Sequence, residues 1–235
     1  MNSSLNKSWF LDNCEVACLD PLLSDKDLRQ IFYMVANAGF KNFCINSDRM
    51  DLVCNLPRKN PIKIGVTAHF PFGNSLQGGS ELDTIVNMQG EYKNPITDID
   101  VVLPLNLIKN HKWEWLKLEL KEYRRITQDY LIKGIIEFQK LTGEEAIKTT
   151  QLLKEEKWDM VKTSSGYNGT IKDMPKFEED IDDQLKNLAN ILSLKVSGGI
   201  RNLNDVARFV TNCKAVKLGV GWKSALEILK EFKNE

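Results

Sequence analysis

Short apolar runs alternate along this chain with longer segments in which apolar residues recur at helical spacing. The segment Asp25–Ala38 shows the helical pattern most clearly, with Ser24 as its N-cap and Gly39 at its C-terminal end. The strand-type runs are continuously apolar rather than alternating. That pattern is typical of parallel strands that are covered on both faces.

Eight apolar runs predict eight strands, which alternate with helical segments along the chain. The predicted strands are Trp9–Leu11, Lys41–Asn46, Pro61–Thr67, Asp98–Pro104, Tyr130–Glu137, Trp158–Lys162, Ile191–Lys195 and Ala215–Gly219. The predicted helices are Asp25–Ala38, Ser80–Gln89, His111–Asp129, Thr142–Glu156, Phe177–Asn190, a segment from Asn202 or Asn204 to Thr211, and a last one ending near Phe232. The alternation predicts an α/β protein with a (β/α)₈ TIM barrel, formed as a single domain by residues 1–235. A doubly wound open sheet is the alternative.

Composition narrows the class of protein. The formal net charge is zero, so the chain has no electrostatic footprint for nucleic acid or an anionic membrane surface. No apolar run approaches the ~20 residues that span a bilayer, and the N-terminus lacks a signal-peptide run. An odd number of cysteines without metal-type spacing predicts reduced thiols in the core of a cytoplasmic protein. They are Cys14, Cys18, Cys44, Cys54 and Cys213.

Charged residues inside the apolar strands are the first candidate chemistry. Lys162 closes the sixth strand, and burying a lysine costs free energy unless the ammonium is paired, neutralised or extended to solvent. A desolvated amine is also a nucleophile able to form a Schiff base. Lys195 closes the seventh strand and should lie beside Lys162, while Asp100 in the fourth strand can balance one of the two charges. This trio favours a neutral amine next to a cation and a carboxylate.

Glycines follow the last two strands. Gly198–Gly199 comes after the seventh, and Gly219 and Gly221 come at the eighth. Barrels bind phosphate at this place through backbone N–H groups and a helix N-terminus. Arg201 follows the first pair and is either an anion ligand or a surface charge beside a helix.

Two lysine-containing stretches, Val161–Gly166 and Lys195–Arg201, resemble the two lysine motifs of the deoxyribose-phosphate aldolase family. Four further stretches resemble family segments and follow in the family's order. They are Leu11–Asp12, Phe43–Asn46, Phe70–Asn74 and Ile99–Val102.

The resemblance implies a class I aldolase on a barrel that needs no metal or organic cofactor. It assigns the Schiff base to Lys162, control of that amine's protonation to Lys195, and proton transfer through a water to Asp100. The implied reaction is the reversible cleavage of 2-deoxy-D-ribose 5-phosphate into acetaldehyde and D-glyceraldehyde 3-phosphate. The implied partners are small phosphorylated sugars and aldehydes, with no nucleic acid and no membrane. A homodimer or a higher homo-oligomer stays open.

The resemblance also implies a wider set of binding residues. The substrate-binding positions are Asp12, Cys44, Lys133, Thr163, Ser165 and Gly166, although the apolar run around Cys44 favours a core position for that residue. The phosphate-binding positions are Gly198, Gly199, Arg201, Gly219, Gly221 and Trp222. Gly221 and Trp222 stand where the family usually has two serines. Two rival hypotheses therefore remain, a Schiff-base aldolase with a different acceptor aldehyde and a non-catalytic barrel scaffold.

Overall fold

Eight parallel strands close into a barrel in the order β1 to β8, with β8 pairing back onto β1. The computed structural model describes residues 5–59, 61–73, 78–170 and 181–232. The strands are β1 Cys14–Cys18, β2 Asn42–Asn46, β3 Lys63–Ala68, β4 Asp98–Val102, β5 Leu131–Ile135, β6 Met160–Lys162, β7 Ser193–Ser197 and β8 Lys217–Gly221. The predicted (β/α)₈ barrel is confirmed, and the open sheet is excluded.

Helices connect the strands and cover the outside of the barrel. They are α1 Lys7–Asn13, α2 Asp25–Asn37, α3 Met50–Cys54, α4 Gly78–Asn87, α5 Leu105–Lys109, α6 Trp113–Ile126, α7 Gly143–Glu155, α8 Ile181–Ile191, α9 Leu203–Thr211 and α10 Trp222–Glu231. The first residues of the predicted helix Phe177–Asn190, like Asn74 of the family-like stretch Phe70–Asn74, lie outside the described residues. None of the described helices is long and apolar enough to cross a membrane.

Helix starts follow the capping residues that the sequence presents. Ser24 accepts a hydrogen bond from the backbone of Asp27 at the start of α2, and Asn202 does so from Asp205 at the start of α9. Thr142 and Glu145 form both hydrogen bonds of a capping box at α7. These caps satisfy backbone donors that a helix leaves free, which explains why the boundaries were readable.

The predicted first strand is wrong. Trp9–Leu11 lies in α1, whose N-cap Asn6 accepts a hydrogen bond from the Trp9 backbone. Phe10 of α1 packs against Phe40 and Phe232, with ring centroids 5.7 and 5.5 Å apart. A run of three apolar residues is too short for its periodicity to distinguish a strand from one turn of a buried helix. The packing of the run in the folded protein determines which of the two it forms. The barrel's first strand is instead β1, which begins three residues after Leu11.

The register of the strands brings interior charges together. Asp100 of β4 lies opposite Lys133 of β5, and Lys162 of β6 lies opposite Lys195 of β7. Lys195 in turn lies opposite Lys217 of β8. Because parallel strands in a closed barrel present their inward side chains in shared layers, these groups meet at the barrel axis.

Candidate active site

The interior of the barrel holds a buried network of charges. Four lysines face three carboxylates within it. The members are Lys133, Lys162, Lys195, Lys217, Glu15, Asp98 and Asp100. Lys133 is fully buried, and its Nζ lies 3.0 Å from Glu15, 3.1 Å from Asp98 and 2.9 Å from Asp100. Buried charges are tolerated only when they are paired in this way.

Asp100 joins the two lysines that the sequence placed side by side. Its Oδ2 accepts a hydrogen bond from Lys162 Nζ at 2.8 Å and another from Lys195 Nζ at 2.6 Å. Lys195 Nζ also donates to Glu15. The predicted trio is therefore brought together, with a fourth member on β1.

Opposing effects set the protonation of these groups. Burial alone would raise the pKa of Asp100, but Lys133, Lys162 and Lys195 hold it well below its usual range. Burial alone would lower the pKa of Lys195, yet the carboxylates of Asp100 and Glu15 raise it. The pKa of Lys133 is likewise raised well above its usual value by Asp100, Glu15 and Asp98 against the effect of burial. Asp100 is thus an anion between fixed cations.

Lys162 holds a distinct place among the four lysines. Within the described residues its ammonium contacts one carboxylate, Asp100, whereas Lys195 contacts two. Lys217 also has two, with Nζ 3.2 Å from Asp98 and 3.4 Å from Glu15. The network carries one more lysine than carboxylates. Of the four, Lys162 has the fewest anionic partners.

A cavity of about 300 Å³ opens above Lys162 and Lys195 at the C-terminal ends of the strands. This is the end at which barrels place their active sites. The lining residues are Glu15, Ala17, Leu19, Asp20, Cys44, Lys162, Ser165, Gly166, Tyr167, Lys195, Ser197, Gly198, Gly199, Gly219, Gly221 and Trp222. Most of the predicted site residues therefore share one wall.

The loop after β6 forms part of that wall. The Ser165 backbone N–H donates to the buried carboxylate of Glu137 at 3.0 Å. The Tyr167 hydroxyl donates to the Leu19 carbonyl at 2.9 Å, and its ring meets Phe70 edge-on. These contacts tie the loop to the strand ends of β1, β3 and β5 and fix Ser165 and Gly166 beside the cavity.

The glycine pair after β7 meets a steric requirement. Gly198 and Gly199 have φ of 88° and 78°, a conformation that glycine adopts without strain. A Cβ on Gly198 would also lie 2.6 Å from Ser164 Oγ. The pair therefore turns its backbone closely around the cavity wall.

Four predicted binding residues do not line the cavity. Asp12 is exposed on α1, which precedes β1, and does not lie at the C-terminal end of a strand as the predicted strand Trp9–Leu11 implied. Lys133 lies deeper in the charged network, below the wall. Thr163 is fully buried and bonds through its hydroxyl to both the N–H and the carbonyl of Ser197. Arg201 is exposed, and its backbone N–H donates to Asp205.

Glu15 belongs to the charged network but is not among the site residues that the sequence predicts. It accepts hydrogen bonds from Lys133 and Lys195 and lies 3.4 Å from Lys217. The signal was present, because Glu15 interrupts the apolar run Cys14–Cys18 as Asp100 interrupts its own strand. Lys217 and Asp98, both within apolar runs, were overlooked in the same way.

One group of potential metal ligands lies in the same place within the described ranges. Glu15, Cys44 and Asp100 each offer an atom within 4.8 Å of the others. Both carboxylates already accept lysine ammonium groups, whose charges oppose a divalent cation. Burial, with the charges of Glu15 and Asp100, raises the pKa of the Cys44 thiol, which disfavours the thiolate that metals bind. The two carboxylates are therefore better suited to pairing with lysines than to binding a metal ion, and the Cys44 thiol is a poor metal ligand here.

Relatives of known name cover nearly the whole chain. A deoxyribose-phosphate aldolase of Caldanaerobacter subterraneus subsp. tengcongensis is 25% identical over 224 residues, covering 92% of this chain and 90% of the relative. One of Mycoplasma capricolum subsp. capricolum is 26% identical over 235 residues, covering 100% of this chain and 99% of the relative. No family model matches the sequence.

Solved structures share the fold. An aldolase designated QR15 superposes with a TM-score of 0.78 at 24% identity, covering 93% of each chain. The deoxyribose-phosphate aldolase of Aeropyrum pernix, described as tetrameric, has a TM-score of 0.74 at 20% identity over 97% of this chain and 92% of its own. The predicted resemblance to an aldehyde-lyase family is confirmed by the named relatives.

Proposed function

We propose that this chain, a homologue of the deoxyribose-phosphate aldolases, is a class I aldolase that works through a Schiff base on Lys162. The observation that carries the proposal is the shared Asp100 oxygen, which lies 2.8 Å from Lys162 Nζ and 2.6 Å from Lys195 Nζ beneath the cavity. A nucleophilic lysine needs a neighbouring cation and a proton acceptor, and this arrangement holds both.

The proposed substrate is 2-deoxy-D-ribose 5-phosphate in its open-chain form. The neutral Lys162 amine attacks the aldehyde carbon, and loss of water leaves a protonated imine. A base removes the proton of the C3 hydroxyl, the C2–C3 bond breaks, and D-glyceraldehyde 3-phosphate departs. The bond's electrons move into the iminium to give an enamine. Protonation at C2 and hydrolysis release acetaldehyde and the free amine.

Asp100 and Lys195 have separate roles in this scheme. Asp100 accepts and returns protons through Lys162 and a water, since its carboxylate is ionised and touches the reacting amine. The carboxylates of Asp100 and Glu15 raise the pKa of Lys195 against the effect of burial, so Lys195 supplies a fixed positive charge beside the reacting amine. Glu15 holds Lys195 in place from the opposite side.

The distal end of the substrate would lie against the glycines after β7 and β8. Backbone N–H groups there and the start of α10 suit a phosphate. Among the described wall residues, however, the only cationic side chains are Lys162 and Lys195, and Asp20 adds a carboxylate. Trp222 adds an indole where hydroxyl groups would help. These features favour, as a second candidate, an aldolase with a different, unphosphorylated acceptor.

A comparison of two substrates tests the proposal and separates the candidates. Purified protein is assayed for acetaldehyde release from deoxyribose 5-phosphate and from unphosphorylated deoxyribose. A higher kcat/KM for the phosphate ester supports the main proposal, and the reverse order supports the second candidate. Release from neither substrate contradicts both, and the rival of a non-catalytic barrel would then stand.

A further inference from the structure

A second cavity, of about 370 Å³, lies on the outside of the barrel between α2 and the segment that leads into β3. Its lining residues are Phe32, Tyr33, Ala36, Asn37, Pro57, Arg58 and Lys59. Among the described residues it shares no wall with the catalytic cavity. The proposed aldol chemistry gives it no role.

Arg58 is the residue of interest in this cavity. One of its amino groups, Nη1, donates to the Ile62 carbonyl, and the guanidinium lies 5.9 Å from the centroid of the Phe32 ring. Its Nε and Nη2 atoms are buried and have no hydrogen-bond partner among the residues that the structure describes. These two nitrogens form one edge of the planar guanidinium, the fork that binds two oxygens of one anion. A buried donor pair without an acceptor is costly and calls for an explanation.

The charges around Arg58 also favour the binding of an anion. Burial lowers the pKa of Arg58, and among the described residues Cys54 opposes this effect. None of the lining residues is acidic, and Lys59 adds a second positive charge at the rim. Asn37 contributes an amide, which can donate further hydrogen bonds. The described lining residues therefore carry two positive charges and no negative charge, which suits the cavity to binding an anion.

We propose that this cavity, defined by Arg58, Lys59 and Asn37, binds a phosphoryl group. Two oxygens of the phosphate accept hydrogen bonds from Arg58 Nε and Nη2. A phosphate dianion carries two negative charges, which Arg58 and Lys59 can both balance. A carboxylate carries one charge and would leave one of the two cations unbalanced. The Phe32 and Tyr33 side chains give the remaining wall an apolar surface, suited to an organic part of a phosphate ester.

Entry to the site requires a side-chain movement. The two free N–H groups are covered from water, although Arg58 itself lines the cavity. Tyr33 and Lys59 are exposed and line the cavity with Arg58, so their rotamers can change when an anion enters. Such rotamer changes of exposed side chains take picoseconds to nanoseconds and do not limit binding.

Inorganic phosphate is the probe for the test, at constant ionic strength maintained with chloride. The Nε–H resonance of Arg58, assigned by its loss in Arg58→Lys, is followed by ¹H–¹⁵N NMR during titration. We expect a saturable shift with phosphate and a weaker response to acetate. In the variants, which lack this resonance, binding is followed by the backbone amide resonances of the lining residues Asn37 and Lys59. Arg58→Gln should weaken the phosphate binding at this cavity by about tenfold or more, since it removes charge-assisted hydrogen bonds. Arg58→Lys, which keeps the charge but not the fork, should also weaken it.

The matched control is Lys26→Met, an exposed lysine of α2 that does not line the cavity and should bind phosphate like the wild type. An unmoved Arg58 resonance, or unchanged affinity in Arg58→Gln, overturns the proposal. A stronger response to acetate than to phosphate overturns the assignment to a phosphoryl group. Aldol cleavage plays no part in these readouts, so the result stands apart from the proposed catalytic function.

Discussion

Glu15, like Asp100, contacts three of the four interior lysines. Its carboxylate contacts Lys133, Lys195 and Lys217, whereas Lys162 relies on Asp100 alone. Loss of a partner from a buried ion network leaves the remaining charges uncompensated. The chemistry at Lys162 therefore depends on a residue that need not touch the substrate's carbonyl carbon.

Replacement of Glu15 by Gln tests this dependence. The variant keeps the shape of the side chain but removes its charge, so we expect the free energy of unfolding to fall by about 3–5 kcal/mol. Urea denaturation measures the change. The control is Glu227→Gln, an exposed carboxylate paired with Lys230 at 2.6 Å, which should cost about 1 kcal/mol or less. Equal losses in the two variants would contradict the account of the network.

The reason that Glu15 escaped prediction is itself physical. Burial of a charge in an apolar run was a usable signal for Asp100, Lys133 and Lys162, and Glu15 shows the same signal. With the first strand placed at Trp9–Leu11, Glu15 lies outside every predicted strand, so its burial is not predicted. The sequence alone does not show which of the two apolar runs, Trp9–Leu11 or Cys14–Cys18, joins the barrel. The choice depends on pairing with β2 and β8, which are distant along the chain.

At the scale of elements, β7 and β8 approach closely behind the cavity. A Cβ added to Gly219 of β8 would lie 2.8 Å from Ser197 Cβ and 3.2 Å from Lys195 Cε. The glycine therefore leaves the space that the Lys195 side chain crosses on its way to Asp100. Gly221, two residues further along the same strand, faces open space.

This difference yields a paired prediction. Gly219→Ala should displace Ser197 and crowd the Lys195 side chain, and so lower kcat by about tenfold or more, since a small misplacement of a catalytic group is costly. Gly221→Ala, which changes the same strand by the same methyl group, should leave kcat within about twofold. Steady-state kinetics on the preferred substrate measures both. Similar kcat values in the two variants would show that Lys195 tolerates the displacement.

Most elements were predictable for local reasons, and the exceptions depended on tertiary contacts. The capping residues Ser24 and Thr142 fixed helix starts because their hydrogen bonds are made within a few residues. By contrast, Thr163 was assigned to the substrate from its motif alone, and its hydroxyl instead joins β6 to β7. Its orientation depends on Ser197, which is distant in sequence.

At the scale of the whole molecule, the barrel is closed around charges rather than around an apolar core alone. The apolar side chains pack between the strands and the outer helices, while the interior holds the lysine and carboxylate network. Such an interior is stable only while its carboxylates stay ionised.

The stability of the protein should therefore fall at acidic pH. The lysines hold the pKa values of Glu15 and Asp100 below their ordinary range in the folded protein, although burial opposes this. Groups with lowered folded pKa stabilise the fold above the unfolded value, about 4, and lose that contribution as pH falls. We expect the free energy of unfolding to drop steeply below about pH 4. Urea denaturation across pH measures it, and a flat profile down to pH 2 would contradict the network.

The central claim is that Lys162 forms the covalent intermediate. The direct measurement is sodium borohydride reduction in the presence of substrate, followed by mass spectrometry of peptides. The account predicts an adduct on Lys162 that disappears in Lys162→Met, a variant of similar length without an amine. An adduct on Lys195 instead, or none in a protein that cleaves its substrate, would contradict it.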